Sequence, residues 1–469
     1  MKFIYLVFSL LLSHISFSQD IKERLAASFS KLEKDEQFKH ASLSMYVVDS
    51  KTGAVVFEKN AQLGMAPAST QKVITSVSVF ELLGKDFTFK TTIGYDGTIQ
   101  SGILNGNLYI IGSGDPSLGS WRWKTSESAA IQQQILAALK AKNITKINGD
   151  LIADAGKWET QATPRGWIWE DVGNYYGAAV WGINWHENQY DLILQPGQKE
   201  GDDVKIIKTE PPLEISVLLN ELKTGKEGSG DQSIIYLPEN GLIGAVRGTV
   251  PAGKTPFTVK GSIPDAPAAF VKMLENYLKQ NNIEVRGRSK TNLHFEANSK
   301  PLNYKPTIIA TITSPTCDSI NYWFLKKSVN LFGEAFVKAI AMNKTGFGST
   351  DTGLAIIRHF WSSRGVEKPA LKIIDGSGLS PANRITTNAL VTVMLYAKKQ
   401  KWFPSFFYAL PEMNGIKMKD GYINGVRSYT GYIKTKTGME YTFAFIVNNF
   451  DGNPGTVREK MWKLLDILK

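Results

Sequence analysis

The sequence predicts a mixed α/β protein of the α+β type, an antiparallel sheet flanked by helices and split by a long, mainly β insert. Three observations carry this. Up to about Gly84 the residues read helix, β-hairpin, helix. From about Phe87 to about Pro306 the texture changes to short β-like runs rich in glycine. Beyond Ile308 helical periodicity returns, and three strand candidates and an amphipathic helix follow. First and last segments thus read as one domain, 19–86 with 307–469, and 87–306 as an inserted region of two small domains.

Met1 to Ser18 holds Lys2, an apolar run from Phe3 to Leu12 and the small-x-small triplet Ser16-Phe17-Ser18. It reads as a secretory signal peptide cut near Gln19, which places the mature chain outside the cytoplasm, in the periplasm, with no transmembrane anchor. Asp20 to Phe38 has helical periodicity with Leu25, Phe29 and Leu32 on one face. A hairpin follows, 41–48 and 54–58 around Ser50-Lys51-Thr52-Gly53. Ala66-Pro67-Ala68-Ser69-Thr70-Gln71-Lys72 then opens a helix that runs through Leu83 and is closed by Gly84.

Ser69 and Lys72 share a face of that helix, since residues three apart are neighbours. A serine with an amine beside it, at the positive end of a helix dipole, has the parts of an activated nucleophile. The same residues also read as an N-cap serine and a solvated lysine, and Ser28-Phe29-Ser30-Lys31 repeats the pattern by chance. Within the insert, seven of the 11 tryptophans lie between Trp121 and Trp185. They read as packing residues, with stacking on sugar rings as the alternative. Further on, Asp318 to Met342 is helical around the break Lys327-Ser328-Val329-Asn330, and Thr350 to Ser363 and Thr386 to Lys399 are helices. The turn-rich Asp375-Gly376-Ser377-Gly378-Leu379-Ser380 lies between these last two. Strands are expected around 415–419, 428–433 and 441–447, and a last helix over 457–468.

Cys317 is the only cysteine, so stability comes from packing. The net charge of +11 is spread along the chain without a basic block, which fits an anionic envelope better than nucleic acid. His14, His40, His186, His294 and His359 show no metal spacing, and no phosphate loop or dinucleotide fingerprint occurs. No metal and no cofactor are expected.

Ser69-Thr70-Gln71-Lys72 stands with Gly112-Ser113-Gly114-Asp115-Pro116-Ser117-Leu118, Gly166-Trp167-Ile168-Trp169, Lys327-Ser328-Val329-Asn330-Leu331-Phe332-Gly333-Glu334 and Asp375-Gly376-Ser377-Gly378-Leu379-Ser380. On these motifs the chain resembles the class C low-molecular-mass penicillin-binding proteins, the D-alanyl-D-alanine carboxypeptidase/endopeptidase family. The resemblance implies a serine β-lactamase-like fold, peptidoglycan stem peptides as substrates and β-lactams as covalent inhibitors. It makes Ser69 the nucleophile, Lys72 the general base, Ser328 a proton relay and Asn330 a hydrogen-bond donor to the substrate peptide. Asp154, near the pocket in the family, is to face a cationic stem-peptide side chain, and reads equally as a strand-end turn residue. A polar break between helices is the bland counterpart for Ser328 and Asn330, and the ordered set of three motifs spaced by a long insert favours the functional reading over it.

The family also carries a K-T-G triad on the strand beside the nucleophile. Four literal copies occur, at Lys51, Lys223, Lys344 and Lys436, and the first and last sit between strand-like runs as hairpin turns. Lys436 follows Gly425-Val426-Arg427-Ser428-Tyr429-Thr430-Gly431-Tyr432-Ile433, a segment the family has just after its triad. The register therefore assigns the triad to Lys419-Asp420-Gly421, with Lys419 supplying positive charge and the backbone N–H groups of Ser69 and Tyr422 the oxyanion hole. Lys419 also reads as an edge-strand charge that discourages aggregation. Asp420 and Tyr422 stand where the family has hydroxyls that hold the substrate's terminal carboxylate, so a carboxylate at Asp420 would repel that anion unless it pairs with a cation or faces away. The implied activity is a serine D-Ala-D-Ala carboxypeptidase/endopeptidase; the alternatives are a β-lactamase or esterase on the same fold and a peptidoglycan-binding protein without turnover.

Overall fold

The structure, a computed structural model, describes residues 20–213, 215–298 and 302–469. The expected signal peptide, 1–18, lies outside the described residues. Two compact units make up the chain: the first comprises Met1–Glu81, Asn321–Ser328 and Leu354–Lys469, the second Leu82–Ile320 and Val329–Gly353. The texture of the sequence grouped 329–353 with the flanking segments instead. The helix Asn330–Thr345 belongs to the second unit because its Lys338, fully buried, needs partners there. Lys338 Nζ donates to the Gln161 and Val180 carbonyls at 2.9 and 3.1 Å and meets Glu159 at 3.2 Å.

The first unit is built on a six-stranded antiparallel sheet. Its strands are β1 (Ser42–Asp49), β2 (Val55–Lys59), β3 (Glu412–Met413), β4 (Ile416–Ile423), β5 (Val426–Lys434) and β6 (Glu440–Asn448), in the spatial order β2-β1-β6-β5-β4-β3. Every residue of β6 from Tyr441 to Val447 is buried, because both faces of the sheet are covered. On one face Phe443, Phe445 and Val447 join Leu25 and Phe29 of the helical residues 20–33 and Val457, Met461 and Leu464 of the helix Pro454–Leu465. On the other lies the helix Thr387–Lys398, tied down by Ser44 Oγ to Thr387 Oγ1 (2.8 Å) and by Tyr432 Oη to the Met394 carbonyl (2.7 Å). Its start is capped by Thr386, whose hydroxyl accepts from Ala389 N at 3.0 Å, as N-cap chemistry requires.

The four K-T-G copies each find a structural place. Lys51-Thr52-Gly53 turns from β1 to β2, with Asp49 Oδ1 accepting from Lys51 N and Thr52 N and Gly53 at φ 76°. Lys436-Thr437-Gly438 lies in the turn between β5 and β6. Lys344-Thr345-Gly346 ends a helix, with Gly346 in the left-handed cap position at φ 80°. Lys223-Thr224-Gly225 ends the strand Val217–Gly225.

The second unit has two hydrophobic cores. One lies between a five-stranded sheet that includes Lys90–Tyr95, Leu108–Ile111 and Leu151–Asp154 and the helices Ser128–Ala141 and Ala266–Gln280. The other gathers Tyr190, Leu192 and Leu194 with Val246, Val250 and Val259 from two three-stranded sheets. The two helices, 14 and 15 residues long, are the part of the mainly β insert that its glycine-rich texture concealed. The tryptophans divide: Trp158, Trp181 and Trp185 are buried, while Trp121 and Trp169 are exposed. Among the described residues no helix is long and apolar enough to cross a membrane.

Because Phe445 is wholly buried in the middle strand of the sheet, Phe445→Ala should cost about 3–5 kcal/mol through lost transfer energy and the cavity left behind. A fall in the midpoint of urea unfolding measures it.

Candidate active site

Ser69 sits in a 3-10 turn, Ala68–Gln71, that runs directly into the helix Lys72–Leu82. It is therefore inside the first turn, two residues past the N-cap Pro67, and its carbonyl accepts from Lys72 N. Ala68, fully buried, holds the left-handed φ of 47°. An alanine pays for that conformation, so the surrounding packing must fix it. Lys72 is fully buried, with Nζ donating to Ser69 Oγ at 2.9 Å and to the Ser377 carbonyl at 2.7 Å, and lying 5.8 Å from the centre of the Phe324 ring. The solvated-lysine reading does not describe it. The decoy Ser28-Phe29-Ser30-Lys31 lies on the helix 20–33, with Phe29 turned into the core and Ser30 and Lys31 exposed.

Ser377 belongs to the loop 375–380, and Asp375 shapes it. This buried carboxylate accepts from Gln71 Nε2 (2.9 Å), Gly378 N (2.8 Å), Ser380 N (2.7 Å) and Asn383 Nδ2 (2.9 Å). Gln71 Nε2 also reaches the Asp375 carbonyl, and Thr75 Oγ1 the Gly376 carbonyl at 2.6 Å. Two side chains of the nucleophile's own helix thereby fix the loop that receives Lys72. Gly378, at φ 81°, passes so close to the turn that a Cβ there would stand 2.0 Å from the Ala68 carbonyl oxygen. The sequence displayed this loop only as a cluster of turn residues, and gave neither Asp375 nor Ser377 a role.

Strand β4 passes on another side of Ser69. A Cβ at Gly421 would fall 2.4 Å from Ser428 Oγ, 2.7 Å from the Pro67 carbonyl oxygen and 2.8 Å from Ser69 N, so glycine permits this approach. Ser428, opposite Gly421 on β5, donates its hydroxyl to the Pro67 carbonyl at 2.5 Å, and Thr70 Oγ1 donates to the same carbonyl at 2.7 Å. Lys419 lies on β4 opposite Thr430 and is 1 % exposed. An exposed edge charge would not be so deeply covered. Its Nζ donates to both the carbonyl and Oδ1 of Asp420, each at 2.8 Å. Burial pushes the Asp420 carboxyl up, but the Lys419 ammonium, its hydrogen bond and the more remote Arg427 together hold it below the usual carboxylate range. Tyr422 is exposed, with the Arg427 guanidinium 4.6 Å from its ring centre.

Ser328 follows the helix Cys317–Lys326 and adopts a left-handed φ of 57°. In the second unit, Asn330 starts the helix Asn330–Thr345 and its Nδ2 donates to the Tyr176 carbonyl at 2.7 Å. Asp154 ends the strand Leu151–Asp154, accepting from Gly156 N at 2.8 Å and from Tyr304 Oη, whose ring stacks on Tyr109 at 3.8 Å. Its carboxylate thus has the bonding of a strand-end turn residue. The structure brings Ser69, Lys72 and Gly421 together and joins Lys419 to Asp420. It adds Ser377, Asp375, Ser428 and Arg427 to the residues the sequence singled out. Among the described residues no group of three or more His, Cys, Asp or Glu is placed to hold a metal ion.

Comparison with known proteins matches residues 25–467 to the D-Ala-D-Ala carboxypeptidase 3 (S13) family. The chain belongs to that family. It is 26% identical over 457 residues to a D-alanyl-D-alanine carboxypeptidase of Actinomadura sp. (strain R39), covering 90% of this chain and 80% of the relative. It is 24% identical over 419 residues to the D-alanyl-D-alanine carboxypeptidase DacB of Haemophilus influenzae, covering 84% and 83%. The crystal structure of penicillin binding protein 4 (dacB) from Haemophilus influenzae superposes with a TM-score of 0.76 at 22% identity, over 93% of this chain and 94% of that one. A second crystal structure of that protein holds a β-lactam and superposes with a TM-score of 0.73 at 20% identity, over 95% and 97%. The fold is that of penicillin binding protein 4, as the resemblance to the penicillin-binding proteins implied.

Asp375→Ala would remove the acceptor of four buried hydrogen bonds at once and leave Gly378 N and Ser380 N without it. The expected cost is about 3 kcal/mol or more, read as a lower unfolding midpoint together with slower modification of Ser69 by a serine-directed acylating probe.

Proposed function

We propose that this chain is an exported serine-type D-Ala-D-Ala carboxypeptidase/endopeptidase that hydrolyses peptidoglycan stem peptides or their cross-links through a Ser69 acyl-enzyme. One observation carries the reading: in a chain of the S13 family, a buried lysine amine lies 2.9 Å from the hydroxyl of a serine in the first turn of a helix. Lys72 is buried while Ser69 is only partly covered, so the hydroxyl has the amine beside it to take its proton and stays open to a substrate. In its neutral form the Lys72 amine accepts the Ser69 proton as Oγ attacks the carbonyl of the penultimate D-alanine. The C–N bond then breaks and the leaving amine gains a proton through Ser328. Water, deprotonated in turn, hydrolyses the ester and frees Ser69.

Lys419 supplies charge and Asn330 a hydrogen bond to the substrate peptide; Asp420, Gly421 and Tyr422, on the strand beside Ser69, are assigned to substrate binding, and Asp154 to a cationic stem-peptide side chain. Gly421 supports the oxyanion-hole role of the Ser69 and Tyr422 N–H groups, since the absence of a side chain lets β4 run against the Ser69 backbone. The segment 1–18 acts as the export signal, 19–86 and 307–469 carry the peptidase motifs, and 87–306 is the insert that meets a polymeric substrate. β-Lactams acylate Ser69; the β-lactam complex of the Haemophilus relative supports this.

A fluorescent penicillin tests the reading. Stable labelling that is lost in Ser69→Ala is expected; fast turnover would instead indicate a β-lactamase, and no labelling a binding protein. Lys419→Ala should slow acylation about 100-fold or more while Lys436→Ala changes it less than about twofold. The reverse pattern would overturn the assignment of the triad to Lys419. Release of D-alanine from a pentapeptide, compared with cleavage of a cross-linked dimer, separates carboxypeptidase from endopeptidase.

A further inference from the structure

A carboxylate on the leaving residue sits close to the scissile carbonyl, because adjacent Cα atoms are only about 3.8 Å apart. It must therefore meet whatever charges stand on the strand beside Ser69. The Gly421 approach to Ser69 N and the Pro67 carbonyl identifies that strand as β4, and the charges on it nearest Gly421 are Lys419 and its neighbour Asp420, Lys417 lying further back opposite Tyr432 and 3.7 Å from Glu412. An ammonium has three donors, and two of those on Lys419 go to the Asp420 carbonyl and Oδ1. The cation is 1 % exposed, whereas the Asp420 side chain is 36 % exposed. What an approaching anion meets first at this pair is the carboxylate.

We propose that Asp420 is a specificity-determining residue, which occupies Lys419 and turns the enzyme away from leaving groups with a free carboxylate and toward those whose carboxyl is neutral, as in an amide. The inference rests on the acyl-transfer reading of Ser69. It assigns the favoured substrate class to stem peptides or cross-links in which the carboxyl next to the scissile nitrogen is amidated. Asp420 acts here through Lys419 and through the field it adds, and takes no part in bond breaking. Arg427, stacked on Tyr422 across from β4, is a further cation that could counter it.

The test uses the full chain and two substrates that differ in one group, an acyl-D-Ala-D-Ala peptide and the same peptide ending in D-alaninamide. In Asp420→Asn the side chain keeps its size and an oxygen for Lys419 but loses its charge. The ratio of kcat/KM for the carboxylate substrate to that for the amide should rise about tenfold, mainly through KM, and the gain should shrink at high salt. Asp420→Thr should move the ratio the same way, so the result does not depend on one variant. Both substrates see the same active enzyme, so the ratio is blind to a loss of folded protein. A ratio within twofold of the unaltered chain in both variants overturns the proposal. So does a chain that already prefers the carboxylate and loses that preference in Arg427→Gln, which would make Arg427 the anchor. If the unaltered chain turns over neither peptide and takes no penicillin, the acyl-transfer reading itself fails and this inference falls with it; penicillin labelling with an unmoved ratio sinks the inference alone.

Discussion

The burial of Lys72 is the constraint on which the rest of the site depends. An amine without water must be given hydrogen-bond partners by the protein, or folding bears the full cost of its desolvation. Ser69 Oγ is one such partner and the Ser377 carbonyl another. A carbonyl can serve only if its loop is held still, and that is the part played by Asp375 and the bonds it accepts. Gln71 and Thr75, on the same helix as Lys72, complete the circuit back to the nucleophile. The reactive pair and its support are thus a single hydrogen-bonded assembly. The left-handed Ala68 and the close pass of Gly378 over its carbonyl are the conformational cost of that assembly.

Where the sequence could be read, it was read through periodicity and turn chemistry. Leu25, Phe29 and Leu32 repeat at helical spacing because they meet one face of the sheet, and all three are buried there. The strands around 428–433 and 441–447 are as apolar as they are because both faces of the sheet are covered. Ser69 and Lys72 were legible as neighbours since three residues along a helical turn fix the pair. The helices Ser128–Ala141 and Ala266–Gln280 carried comparable signals. Ile131, Ile135 and Leu139 recur every fourth residue, and Asp265 with Pro267 marks a helix start. The surrounding glycines and tryptophans mask that periodicity.

Other parts were illegible for a physical reason. Nothing in a serine at 377 or an aspartate at 375 says that a backbone carbonyl will meet a lysine 305 residues away, because such contacts are set by tertiary packing. The four K-T-G strings show the opposite failure. Turn, cap and strand-end geometry select lysine, threonine and glycine for local reasons, and the tripeptide recurs wherever those geometries recur. Asp420 could be flagged from the sequence as a charge out of place, yet only coordinates tell that Lys419 turns back to meet it.

The sheet of the first unit has a consequence for how the chain comes to be folded. β1 ends its pairing with β6 at Ser42 and Asn448, so two central neighbours are separated by nearly the whole chain. During synthesis β1 has only the short β2 beside it, and one of its edges stays unsatisfied until the last strand arrives. Closing so long a loop is slow compared with local pairing, and an open edge beside apolar residues invites other chains. The apolar cover from residues 20–33 is also incomplete until Pro454–Leu465 is present. The unit that carries Ser69 therefore acquires its core at the end of synthesis, and a chaperone that shields an unpaired strand would have its work there.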